Sequence, residues 1–112
     1  MKKQLSDEAL ETIASRFKLL SDPMRLKILH TLGEGELSVG DLVETLGAGQ
    51  ANVSKHLGSL LDAGIVSKRK EGLNVYYRVQ DETIFELCET VCRRLESQYF
   101  EKTKLFSGSN SK

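Results

Sequence analysis

The chain has 112 residues, 39% apolar and 29% charged, enough for one domain with a modest core and too apolar for a disordered chain. Its apolar runs fall far short of the ~20 residues that cross a bilayer, and Met1-Lys2-Lys3-Gln4-Leu5-Ser6 leads into no apolar segment, so neither a membrane span nor a signal peptide is expected. Two cysteines without an export signal point to a reducing cytoplasm and away from a disulfide framework.

Net charge is zero, but it is spread unevenly. Residues 50–78 carry five Lys/Arg against two Asp/Glu. Residues 1–49 carry six against eight, and residues 79–112 five against six. The positive surplus is therefore local, as a polyanion footprint requires.

Asp7 to Leu20 reads as a helix, with Ser6 as N-cap and Asp7 and Glu8 in its first turn. Leu10, Ile13, Ala14, Phe17 and Leu20 form its apolar face. Ser21-Asp22-Pro23 stops this helix and opens a second, Met24 to about Leu32, with Asp22 as N-cap and Pro23 at the first helical position. Its buried face is Met24 or Leu26 with Ile28, Leu29 and Leu32, and Gly33-Glu34-Gly35 ends it.

A helix-turn-helix is expected over about 38–63. Ser38 caps its first helix, with Asp41 as capping-box partner, and Val39, Leu42, Val43 and Leu46 supply the apolar spacing. Gly47 and Gly49 interrupt that spacing, which resumes at Val53, Leu57, Leu60 and Leu61. The opposite face of the second helix carries Gln50, Asn52, Ser54, Lys55, Ser59 and Asp62. Amides, hydroxyls and a cation suit base edges and phosphate. An ordinary αα-hairpin is the competing interpretation. Residues 65–79 then turn β-branched and aromatic: Ile65 to Lys70 and Asn74 to Val79 around Glu71-Gly72-Leu73 predict a β-hairpin. A basic hairpin after a recognition helix is a wing; a plain surface hairpin is the alternative.

A last helix is expected over 81–106, with Ile84, Leu87, Cys88, Val91, Leu95 and Tyr99 as its stripe and Phe85, Cys92 and Phe100 widening it. That helix and the one over 7–20 hold more apolar surface than a small domain covers. Both are expected in a two-fold homodimer interface that sets two recognition helices one DNA turn apart. Residues 107–112 read as a disordered polar tail. The expected architecture is one mainly α winged helix-turn-helix domain over 1–106, in the order α-α-α-α-β-β-α.

FKLLSDPMRLKIL (17–29), ELSVGDLVETLG (36–47), NVSKHLGSLLDAGIVSKRKEG (52–72) and VYYRV (75–79) together resemble the ArsR/SmtB family of winged-helix repressors, in that family's order and spacing. The likeness spans about Ile13 to Leu95. It implies a homodimer that sits on double-stranded operator DNA and leaves it when a metal or other inducer binds. It also implies that Gln50, Asn52, Ser54, Lys55 and His56 lie at DNA-reading positions, and that Lys68, Arg69 and Lys70 hold the wing to the backbone. His56 either touches phosphate or orders the helix, or is simply a neutral polar residue at its edge. His30 reads as a surface or interhelix residue.

Two of the family's inducer sites are missing. Ser38 and Gly40 stand where soft-metal sensors have Cys-x-Cys. Asp81 matches one zinc ligand, but Thr83, Arg94 and Ser97 stand at the positions expected to supply histidine, and one carboxylate does not hold Zn²⁺. What remains is Cys88 and Cys92, four apart on one helix face. They either pack as small hydrophobes or form a thiol sensor for a soft metalloid, reactive sulfur or an oxidant. Side chains four apart on a helix have Cβ atoms about 5–6 Å apart, whereas a disulfide wants roughly 3.5–4.5 Å, so a bridging atom suits the intact helix better than a direct bond. Arg93 and Arg94 would lower a thiol pKa if turned towards it. No Ser/His/acid set or phosphate-cradling loop supports an enzyme. A winged-helix protein-interaction module remains an alternative, although it has no need of the basic residues.

Overall fold

The computed structural model describes residues 4–99 and divides after Gln80 into two compact units. The first unit holds α1 (Asp7–Leu20), α2 (Pro23–Leu32), β1 (Leu37–Ser38), α3 (Val39–Leu46), α4 (Gln50–Asp62), β2 (Val66–Glu71) and β3 (Asn74–Val79). Within the described residues the second unit is α5 (Thr83–Tyr99) with the Asp81-Glu82 lead that starts it.

Each early helix begins where a side chain satisfies its free amides. Ser6 Oγ accepts from the Ala9 amide at 3.1 Å. Asp22 Oδ1 accepts from the Met24 and Arg25 amides at 2.8 and 3.3 Å, with Pro23 at the first helical position. Ser38 and Asp41 form the expected reciprocal capping box, at 3.1 and 3.3 Å. Gly47 closes α3 in the left-handed conformation (φ +66°), so the chain turns at once into α4.

α2, α3 and α4 pack on one another and on the sheet around one core. Ile28, Leu29, Leu42, Val53, Leu57, Leu60, Ile65 and Val66 are fully buried, and Leu20, Leu32 and Val79 nearly so. Each such side chain contributes roughly 1.5–3 kcal/mol. Met24 and Leu26 are both only half-buried. On α1, Leu10, Ile13 and Phe17 remain exposed.

The sheet is antiparallel with order β1-β3-β2. β2 and β3 join through a two-residue turn, Gly72-Leu73, with Glu71 opposite Asn74. Gly72 has φ +63°, as the first central residue of a type II′ turn demands. Glu71, expected in the tip, is thus the last residue of β2.

Two features depart from expectation. β1 has only two residues, too short for any alternation signal, and it exists because Leu37 and Ser38 pair with Tyr77 and Tyr76. α5 begins at Thr83 and not at 81: Asp81 stands outside it and accepts a hydrogen bond from the Thr83 amide at 3.2 Å. Residues 100–106 of the expected helix, Phe100 among them, and the 107–112 tail lie outside the described residues. No helix among the described residues is long and apolar enough to cross a membrane.

Candidate nucleic-acid interface

α4 is two-sided. Val53, Leu57 and Leu60 bury one face, while Gln50, Asn52, Ser54 and Lys55 are all exposed on the other. The helix is therefore held from behind with an edge of donors, acceptors and one cation presented to solvent. Its N-cap is Gly49, and among the described residues no side chain caps its first turn. Those amides, at the positive end of the helix dipole, are open to an anion such as phosphate.

The wing follows directly and is fixed to the end of α4. The Ile65 amide donates to the Leu60 carbonyl at 3.0 Å, the Gln80 amide to Ile65 at 2.8 Å, and Gln80 Nε2 to the Gly64 carbonyl at 3.2 Å. Lys68 and Lys70 are exposed on β2.

Two of the anticipated contact residues have partners within the fold. His56 is buried, at 7% exposure, and not on the reading edge. Its Nδ1 accepts a hydrogen bond from Arg25 Nε at 3.0 Å, which leaves the ring proton on Nε2, 4.0 Å from Asp22 Oδ1. Arg25 also donates through Nη1 to the Leu19 carbonyl at 3.0 Å. His56 thus joins the recognition helix to the α1–α2 corner. Desolvation opposes the charge on Asp22, yet the Arg25 and Met24 amides, aided by the Arg25 guanidinium, hold its carboxyl below the usual range.

Arg69, although exposed, is already occupied. Nε donates to both Glu36 carboxylate oxygens at 3.0 and 2.9 Å, and Nη2 meets Glu36 Oε1 at 2.9 Å. Nη1 meets Glu71 Oε1 at 2.8 Å. The guanidinium carbon lies 5.0 Å from the Tyr76 ring centroid, within cation–π range. Lys68-Arg69-Lys70 is therefore not one uniform basic run. Strand alternation sends Arg69 to the opposite face from its two lysine neighbours, a signal already present in the sequence. Glu36, Tyr76, Arg25 and Asp22 are the participants that motif reading missed.

The cysteines lie on α5, both half-buried and not joined in a disulfide. Burial pushes the Cys88 thiol above its ordinary pKa. Arg93, a possible activating cation, is paired with Glu89 at 3.1 Å. His30 is exposed, its Nδ1 3.0 Å from the Leu26 carbonyl. Among the described residues no cluster of three or more His, Cys, Asp or Glu is placed to hold a metal ion.

Residues 22–68 match the model of the bacterial regulatory protein, arsR family. The chain is 42% identical over 89 residues to a cadmium resistance transcriptional regulatory protein CadC homolog of Staphylococcus aureus, covering 79% of this chain and 74% of that one. The crystal structure of the transcriptional repressor BigR from Xylella fastidiosa superposes with a TM-score of 0.64 at 35% identity, covering 78% of this chain and 93% of BigR. The solution structure of a homodimeric winged helix-turn-helix DNA-binding domain from Mycobacterium bovis gives 0.71 at 30% identity, covering 92% and 98%. With this winged helix-turn-helix and these relatives, the chain belongs to the ArsR family of bacterial regulatory proteins.

Proposed function

We propose that this DNA-binding transcriptional regulator is a cytoplasmic homodimeric repressor that reads double-stranded operator DNA with Gln50, Asn52, Ser54 and Lys55, and that thiol chemistry at Cys88 and Cys92 releases it. The observation that carries the DNA part is α4 itself: one face locked in the core, the other an exposed polar edge at an uncapped helix start. Lys68 and Lys70 extend the footprint into the wing. Dimerisation through α1 and α5 is supported by exposed apolar side chains on each: Leu10, Ile13 and Phe17 on one, Val91 and Tyr99 on the other.

The inducer part rests on the cysteine spacing. Arsenite, As(OH)₃, condensing with two thiols forms two As–S bonds and releases two waters, leaving its third oxygen in place or exchanged for another thiol. A bridging atom fits an intact helical turn, where a direct disulfide would distort it. A second reading has a specific observation behind it. Cys88 is half-buried and keeps its proton above the ordinary thiol range, as a packing residue would. In that case the protein is an ArsR-type regulator with structural cysteines and no small-molecule inducer.

Fluorescence anisotropy with an operator duplex selected by the protein from a random-sequence library tests both parts. Ser54→Ala with Lys55→Ala should abolish specific binding while leaving a folded protein; normal binding by that variant refutes the assignment of α4. Release by arsenite or a polysulfide that a Cys88→Ser, Cys92→Ser variant resists makes the pair the sensor. Tight binding in every condition assigns the cysteines to packing.

A further inference from the structure

We infer that Arg69, Glu36 and Tyr76 form a clamp that sets the wing against the helix-turn-helix, so that Arg69 acts in DNA binding as a positioning residue and not as a phosphate contact. The inference deepens the DNA-binding reading above and rests on it.

Arg69 on β2 pairs directly with Tyr76 on β3, and Tyr76 pairs in turn with Ser38 on β1. Cross-strand partners share a face of the sheet. The Arg69 side chain therefore runs across the Tyr76 ring and reaches Glu36, the residue immediately before β1. All three guanidinium nitrogens end on carboxylate oxygens, Nε and Nη2 on Glu36 and Nη1 on Glu71. One positive charge thus sits between two negative ones. A phosphate would have to displace both carboxylates to use it, whereas exposed Lys68 and Lys70 compete with neither.

The anchor is placed to matter. Glu36 lies two residues before Ser38, the N-cap of α3, and the capping box fixes that start. The base of the wing is tied to the end of α4, but farther out the β1–β3 ladder that joins it to the start of α3 has only two residue pairs, too short to be rigid alone. A bidentate guanidinium–carboxylate pair adds direction as well as attraction. It transmits the position of α3, and through Gly47 that of α4, to the lysines of the wing.

Two conservative substitutions test this, because charge and geometry predict opposite signs. Glu36→Gln removes a negative charge beside the footprint and would tighten DNA binding if Arg69 were freed to grip phosphate. The clamp requires it to weaken binding, on the order of tenfold, with a shallower dependence of log K on log salt as the lysines lose their phosphates. Arg69→Lys keeps the charge and loses the fork, so the clamp requires a similar loss together with faster exchange in the wing, whereas a phosphate contact made through charge alone would survive it and leave exchange without DNA unchanged. Affinity is read by anisotropy on the selected duplex, and amide hydrogen exchange across residues 74–79 is read without DNA. Faster exchange there in both variants, together with weaker binding, is the result expected. Unchanged or tighter binding by either variant, or unchanged exchange in both, overturns the clamp. Wild-type protein that binds no duplex would sink the DNA-binding reading instead, and the exchange measurement still decides whether the clamp holds the wing.

Discussion

Replacing His56 by leucine tests whether the recognition helix is held from inside. Leucine keeps the volume roughly and removes the acceptor for Arg25 Nε, 3.0 Å away. His56 is 7% exposed, so water replaces that acceptor poorly. A buried donor left without a partner costs about 1–3 kcal/mol, and Arg25 is only half-buried, so the top of that range is not reached. The extra apolar burial of leucine offsets part of this, leaving about 1–2 kcal/mol. For a domain of this size each kcal/mol lowers Tm by about 4–8 °C, so a fall of roughly 5–15 °C is expected. His56→Asn presents an amide oxygen near the place of Nδ1 and should recover more than half of the loss. Thermal unfolding followed by circular dichroism at one fixed protein concentration measures both, because any self-association would make Tm concentration-dependent. At pH 8, well below melting, His56→Leu should weaken operator binding without changing its salt slope, since a buried ring neutralises no phosphate. A leucine variant melting within about 2 °C of wild type, or one with a reduced salt slope, would refute the internal lock.

Ser38→Ala removes the Oγ that accepts from the Asp41 amide at 3.1 Å and should cost about 0.5–2 kcal/mol, visible as a lower urea midpoint at an unchanged m-value. Acid should destabilise the fold in a definite window. Glu36, through its hydrogen bonds from Arg69, and Asp22, whose amide bonds outweigh desolvation, both have lowered pKa values. Their stabilisation is complete above the ordinary carboxylate range, near pH 4, and is lost as pH falls through the lower folded values. Tm measured from about pH 5 to 3 should fall less steeply for an Asp22→Asn, Glu36→Gln variant than for wild type; equal slopes would exclude these carboxylates as the cause. Cys88 has the opposite sign: its raised pKa keeps the thiol protonated, so iodoacetamide should label it more slowly than free cysteine at neutral pH and catch up as pH rises past the ordinary thiol value. Site-resolved mass spectrometry measures the two rates, and labelling at the free-cysteine rate at neutral pH would show the thiol to be unperturbed.

Most of the fold was legible because its boundaries are written in local chemistry. Ser6, Asp22-Pro23 and the Ser38–Asp41 box mark three helix starts that the structure places at Asp7, Pro23 and Val39. The β-branched run and Gly72 mark the hairpin. β1 was not legible, because two residues carry no periodicity and the pairing partners lie far along the chain at Tyr76 and Tyr77.

The candidate site was legible in a different proportion, and the reason is chemical. Histidine and arginine suit a phosphate contact and an internal tie equally well, since each offers donors or acceptors in both settings. What separates the two uses is face and partner. His56 lies three residues after Val53 and four before Leu60, at the border of the apolar stripe, so helical periodicity allowed an inward position where the motif pointed outward. Arg69 alternates with Lys68 and Lys70, so strand periodicity already set it apart. The partners that complete the distinction, Arg25 at 31 residues from His56 and Glu36 at 33 from Arg69, are brought close only by the fold. The exposed edge of α4 needed no such partner, because its residues meet solvent and are read directly from one helix. For His56 and Arg69, then, periodicity and a partner far along the chain distinguish an internal tie from a residue left open to solvent.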